Sequence, residues 1–123
     1  VKQPVVYAEL DWTAISALAR KKSVSFSPLA KTLPVRRDLA LLLDSTVTMA
    51  QVEATVRQSG GKLLRSIDLF DVYEGDKLPE GKKSYAIAIT LRDDEKTLVD
   101  RQIEAVMDKI VAALSKRLGA ELR

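Results

Sequence analysis

The chain has no cysteine and no histidine. Their absence excludes zinc sites built on thiolate or imidazole, cysteine nucleophiles, Ser-His-Asp triads and histidine acid–base chemistry. A chain without cysteine fits a reducing compartment. No apolar run approaches the roughly 20 residues that span a bilayer, so a membrane partner is not expected. Charge of one sign is also scarce, with a formal net charge of only +3, which permits an anionic partner without demanding one. Aromatic residues make up 5% of the chain, few enough that the position of each ring can be followed.

What is present suits one globular unit. The 123 residues are 46% hydrophobic and 30% charged, long enough to bury a single core. The first residue is Val rather than Met, and the chain reads as a piece of a longer one. The stretch "VVYAELDW" (5–12) alternates apolar and polar side chains and predicts a short strand. "WTAISALAR" (12–20) has helical spacing at Ile15, Leu18 and Ala19, and the lone Trp12 is read as a packing residue. "KKSVSFSPLAKTLP" (21–34), with Pro28 and Pro34, is the best linker candidate.

Beyond Pro34 the pattern becomes regular. "VRRDLALLLD" (35–44) is a strand with Leu39, Leu41 and Leu43 on one face and Asp38, Ala40 and Leu42 on the other. Thr48, three residues before Gln51, opens a helix through "MAQVEATVRQS" with Met49, Val52 and Val56 as its apolar stripe; Gly60-Gly61 end it. "KLLRSIDLFDVY" (62–73) and "KSYAIAITL" (83–91) are two strands joined as a hairpin. A second helix runs from about Val99 to Leu118 on Ile103, Val106, Met107, Ile110, Val111, Leu114 and Leu118, with Gly119 as its C-cap and a short last strand in "AELR". The order β-α-β-β-α-β is the ferredoxin-like α+β plan, a four-stranded antiparallel sheet with two helices on one face. The other face must meet water or a partner.

The third strand decides which side chains occupy that face. Ile87, Ile89 and Leu91 belong under the helices, leaving Ser84, Ala86, Ala88 and Thr90 open. Burying Leu39, Leu41 and Leu43 exposes Asp38 and Ala40, and burying Phe70 and Val72 exposes Asp71 and Tyr73. Ile67 and Leu69 share the parity of Tyr73, a conflict that a β-bulge would reconcile. The open face is thus a floor of Ala and Ser beside a ring and carboxylates. Small side chains admit something flat, Tyr offers a stacking surface, and a carboxylate accepts from a donor-rich edge such as that of guanine. From pattern alone, a solvated sheet with an edge Tyr is the plainer reading and single-stranded RNA binding the sharper one. Asp93, Asp94 and Glu95 read as a solvated turn rather than a metal site. Arg36 and Arg37 either reach phosphates or flank the strand. Lys77, Lys82 and Lys83 read first as a soluble loop, with phosphate contact as the second possibility.

Three segments, "LPVRRDLALLLD", "LFDVYEGDKLPEGKKSYAIAITL" and the ending "RLGAELR", closely resemble the ferredoxin-fold anticodon-binding domain that ends the β subunit of bacterial phenylalanyl-tRNA synthetases. The resemblance covers residues 33–123; residues 1–32 look like the end of a preceding catalytic-like module plus a linker. It implies binding to the anticodon stem-loop of phenylalanine tRNA. Tyr73 would stack on the first anticodon guanine, Asp71 would accept from its edge, and Ala40 and Ser84 would line the floor. The wider RNA-binding set expected on these grounds adds Asp38, Ala86, Arg36, Arg37, Lys82 and Lys83. The resemblance also implies a cytoplasmic α₂β₂ ligase that uses ATP and Mg²⁺ with its active site in the α subunit, so this chain would carry no catalytic residue, metal or cofactor. Two departures concern packing and helix entry: Leu33 stands where the family often has Phe, and Val99 where it often has a Thr cap, leaving Thr97 with Asp100 to cap instead.

Three other ferredoxin-like classes compete. An acylphosphatase-type enzyme needs an Asn to position water, and the chain contains none. A metal chaperone needs the missing cysteines. A regulatory or effector-binding domain that pairs edge strands into a dimer remains the alternative to RNA binding.

Overall fold

Two apolar, alternating segments build the middle of the sheet. Strands β1 (Val35–Asp44) and β3 (Lys82–Leu91) run antiparallel in unbroken register, with Val35 opposite Leu91 and Asp44 opposite Lys82. The computed structural model describes residues 2–21, 23–26 and 28–123; Val1, Lys22 and Ser27 lie outside it, the last two within the expected linker. Strand β2 (Leu64–Tyr73) pairs with the free edge of β3, and β4 (Glu121–Leu122) with the free edge of β1. The resulting order β2-β3-β1-β4 is antiparallel throughout. Helix α1 (Trp12–Ala19) precedes the sheet, α2 (Met49–Gly60) joins β1 to β2, and α3 (Asp100–Leu118) joins β3 to β4. The βαββαβ plan expected for 33–123 is therefore the one observed.

The core lies between the sheet and the last two helices. Leu41, Leu43, Ile87, Ile89 and Leu91 meet Val52 and Val56 of α2 and Ile110 and Leu114 of α3, all essentially free of solvent. Each such burial is worth about 1.5–3 kcal/mol, so the parity of β1 and β3 cannot slip without a large loss. Helix ends fix the connections. The Thr48 hydroxyl accepts from the Gln51 N–H at 3.3 Å, and the Gln51 carboxamide accepts from the Thr48 N–H at 2.8 Å. The expected Thr97 and Asp100 cap does not form. Val99 is the N-cap of α3 and has no side-chain acceptor, so one half of the box remains: Gln102 Oε1 accepts from the Val99 N–H at 3.3 Å. Gly119 closes α3 with φ 62°, a left-handed turn that favours glycine. The chain then doubles back, and the Arg123 N–H donates to the Ala40 carbonyl at 2.9 Å.

Two expectations fail on length and pairing. A 3₁₀ turn over Gly61–Leu63 delays β2 by two residues. The strand expected over 5–12 does not form: residues 5–11 have no regular structure and Asp11 caps α1, accepting from the Ala14 N–H at 3.1 Å. Alternation prepares a strand, but its backbone groups need a neighbouring strand, and none lies beside it among the described residues. Trp12 is 75% exposed, against its reading as a packing residue, and α1 buries no residue at all.

Candidate nucleic-acid interface

On the face away from α2 and α3, pairing register aligns side chains in rows. Asp71, Ala86 and Ala40 occupy one row across β2, β3 and β1; Tyr73, Ser84 and Leu42 occupy the next. Rows on one face are about 6.6 Å apart along the strands, and neighbouring strands about 4.8 Å apart. The Ala and Ser side chains between them leave a shallow open pocket of about 510 Å³ lined by Ala40, Asp71, Tyr73, Lys77, Ser84, Ala86 and Arg123. Five residues expected at the site from sequence thus come together from three strands.

The chemistry of the pocket is set by what its polar groups leave unused. Asp71 is exposed and joins none of the ion pairs among the described residues. Its carboxylate is available as an acceptor toward the pocket. The Tyr73 ring is 36% exposed, with the Arg123 guanidinium 6.0 Å from its centroid. Gly75 lies against the ring, and a Cβ there would stand 2.7 Å from the Tyr73 hydroxyl and 2.9 Å from Cζ. The missing side chain at 75 therefore makes room for the ring.

A bulge corrects the expected burial of β2. Leu69 pairs with Ile87 and Asp71 with Ala86, so Phe70 is an extra residue with no partner on β3. The extra residue resets the parity: Ile67 and Leu69 stay on the helix face while Asp71 and Tyr73 reach the open one. Phe70, expected under the helices, is 53% exposed, with the Arg36 guanidinium 5.5 Å from its ring centroid. Val72 pairs with Tyr85 on the helix face as expected, yet is 49% exposed because edge strand β2 outruns the helical cover.

The expected cations divide between the faces. Arg36, its Nε donating to Asp38 at 2.9 Å, and Lys82, opposite Asp44, share the open face with Ala40 and Ser84. Arg37 has the parity of Leu39 and lies on the helix-bearing face. Lys83 is opposite Leu43, only 7% exposed, with its Nζ 4.7 Å from the Tyr85 ring centroid. Its ammonium is spent on packing against an aromatic face, so Arg37 and Lys83 do not belong with the pocket. Lys77, read from sequence first as part of a soluble loop with phosphate contact second, and Arg123, absent from the expected set, line it instead. The signal for Arg123 was available in sequence: a last strand beside β1 places its third residue next to Ala40. Asp44 lies at the end of the same row system, and its carboxyl is held below the usual aspartate range. The Thr46 backbone N–H and hydroxyl, at 3.0 and 2.7 Å, are the main cause; Lys82 and Lys83 add to it.

A larger cavity of about 600 Å³ lies at the opposite end of the sheet, between residues 28–31 and the turn at 92–95. It has no aromatic ring, and its Arg92 is engaged by Asp94 at 3.1 Å. Among the described residues no three His, Cys, Asp or Glu side chains gather as metal ligands do. No helix among them is long and apolar enough to cross a membrane.

Fold and site together define a ferredoxin-like sheet module whose open face carries a ring, a floor of small side chains and an unpaired carboxylate. Residues 30–123 match the ferredoxin-fold anticodon binding domain family, and the chain belongs to it. The whole chain is 50% identical to part of the phenylalanine–tRNA ligase β subunit of Porphyromonas gingivalis and 44% identical to part of that of Bacteroides fragilis. Over 94% of its length it is 43% identical to the corresponding subunit of Lactiplantibacillus plantarum. The chain spans about 15% of the length of the first two relatives and 14% of the third.

Proposed function

We propose that the open face binds the anticodon stem-loop of phenylalanine tRNA, with the first anticodon base lying on Tyr73 above the Ala40, Ser84 and Ala86 floor. The observation that carries this reading is the row geometry: an unpaired carboxylate and a partly exposed ring converge on one pocket from adjacent rows. A base stacked on Tyr73 would turn one edge toward Asp71. A carboxylate only accepts, so it suits the N1–H and N2–H₂ donors of guanine and not the acceptor at adenine N1. Lys77, Lys82, Arg36 and Arg123 supply the positive charge that a phosphate backbone requires.

In this reading the chain is the tRNA-recognition part of a ligase β subunit, working beside an α subunit in an α₂β₂ assembly in the cytoplasm. ATP and Mg²⁺ act in the rest of that enzyme, and the residues of this chain bind and orient RNA without touching the reacting atoms. The exposed apolar side chains of residues 2–33 would pack on the preceding part of the same subunit.

The test is a titration of wild type, Tyr73→Ala and Asp71→Asn against stem-loops carrying guanine or adenine at the first anticodon position. Tyr73→Ala should cost about 1–3 kcal/mol, the usual range for one base–aromatic stack. Asp71→Asn should narrow the preference for guanine. If both variants stay folded and keep wild-type affinity and preference, this face is not the reader.

A further inference from the structure

We infer that Phe70 and Arg36 form a second nucleotide position on the open face, a stacking ledge for an unpaired loop base next to the one on Tyr73. This rests on the RNA-binding reading of that face and adds a separate site to it. The ledge has three parts. Phe70 keeps the parity of Asp68, which pairs with Ala88 on the open side, and the bulge leaves Phe70 without a β3 partner and half exposed. Arg36 starts from β1, opposite Thr90, and its guanidinium reaches the Phe70 ring on β2, so its side chain crosses β3. Ala88, on the open side of β3 between Asp38 and Asp68, is accordingly only 2% exposed. Arg36 is held in place by Asp38 through its Nε–H alone, at 2.9 Å. A guanidinium has five N–H donors, which leaves both Nη groups to meet a phosphate.

Phe70 lies between the Leu69–Ile87 and Asp71–Ala86 pairs and Tyr73 is opposite Ser84, so two to three β3 residues, about 7–10 Å, separate them. That is at or beyond the 4.5–7 Å separation of paired rings, and each ring has its own guanidinium, Arg36 or Arg123, so the two offer separate surfaces rather than one clamp. Their chemistry differs as well. Tyr73 has Asp71 beside it to question a base edge, whereas Phe70 has no polar atom. The ledge should therefore hold any base by stacking, without choosing among them.

The experiment uses the 123-residue chain, at low salt, against an anticodon stem-loop labelled for fluorescence anisotropy. Partners are the intact loop, loops with each base exchanged singly, and loops with one abasic nucleotide at each position. Phe70→Leu keeps the apolar volume and removes the π-face; Tyr73→Leu does the same at the first site. Phe70→Leu should weaken binding of the intact loop by about 5- to 150-fold, the range for one base–aromatic stack. One abasic position beside the first anticodon nucleotide should weaken wild type equally and erase the effect of Phe70→Leu, while the effect of Tyr73→Leu persists. Base exchange at that position should change nothing. If Phe70→Leu binds as wild type does while Tyr73→Leu is impaired, the ledge is wrong and the first site stands. A Phe70→Leu loss that no abasic position erases assigns the ring a structural role and overturns the ledge too. If neither variant is impaired, the face does not bind RNA at all.

Discussion

Gly75→Ala tests whether the position of the Tyr73 ring, and not merely its presence, governs binding. Gly75 does not have a positive φ, so alanine fits the backbone, and fewer unfolded conformations should favour folding by about 0.4–1 kcal/mol. The new Cβ, however, would stand 2.7 Å from the Tyr73 hydroxyl and 2.9 Å from Cζ, well inside ordinary contact. The ring can shift aside far more readily than the strand can move. A displacement on the order of 0.5–1 Å out of register with the stacked base forfeits about a quarter to a half of a contact's attraction. Applied to a stack of about 1–3 kcal/mol, that is a loss of roughly 0.3–1.5 kcal/mol, or about two- to twelvefold in Kd. The assay pairs a thermal melt with a stem-loop titration, and the melt should move up or stay level while affinity falls. Adding Tyr73→Phe removes the nearest clash but leaves Cζ in place, so it should recover only part of the loss. In a Tyr73→Ala background Gly75→Ala should cost nothing further. A loss that persists there would refute the reasoning, because no ring remains to be displaced.

Three other outcomes follow from the geometry. Lys82→Ala should flatten the dependence of log K on log salt by about 0.7–0.9, one phosphate contact's share, whereas Lys83→Ala should leave the slope alone and lower stability by up to about 2 kcal/mol, read by urea titration. Asp44→Asn keeps an acceptor for Thr46 but loses the charge; since the folded carboxyl titrates below its unfolded value, its contribution is present above about pH 4 and lost as pH falls through the folded value. The variant should be less stable than wild type at pH 7, and the gap should close toward pH 2 in parallel urea titrations. Deleting Phe70 should leave the chain folded with Tyr73 still opposite Ser84, because the residue has no partner in the ladder; loss of the cooperative melt, or loss of the Tyr73–Ser84 contact by NMR, would show that the bulge holds the sheet together.

The helix side of the sheet was legible because burial there is expensive to get wrong. Ile87 and Ile89 on β3 are closed on both sides by neighbouring strands and from above by α2 and α3, so their parity shows plainly in the residue pattern. Parity on β3 in turn points Ser84 and Ala86 to the open face, and on β1 Ala40, which is why the floor could be named in advance, although Ser84 lies low enough in it to be only 7% exposed. Ranges shifted only where hydrophobic pattern says little, as at the 3₁₀ turn before β2. The strand over 5–12 failed for a different reason: alternation describes one face of a strand but says nothing about whether a second strand is there to pair with it.

The open end of β2 was misread where its own pattern conflicted. Ile67, Leu69 and Tyr73 share one parity, yet the first two are apolar enough to want the core and the third belongs with Ser84. Only an inserted residue satisfies both, and Phe70 is that residue. Being hydrophobic, it was assigned to the helix side by the same rule that correctly placed Ile87. The rule assumes that an apolar ring must be sheltered by the protein itself, whereas under the proposed reading a stacked base would shelter Phe70. Lys83 shows the converse error. Its charge suggested solvent, but its strand position opposite Leu43 points inward, and the long alkyl stem lets the ammonium settle against Tyr85. On a half-covered sheet, position in the ladder therefore outranks residue type: it puts Phe70 on the open face and Lys83 on the other.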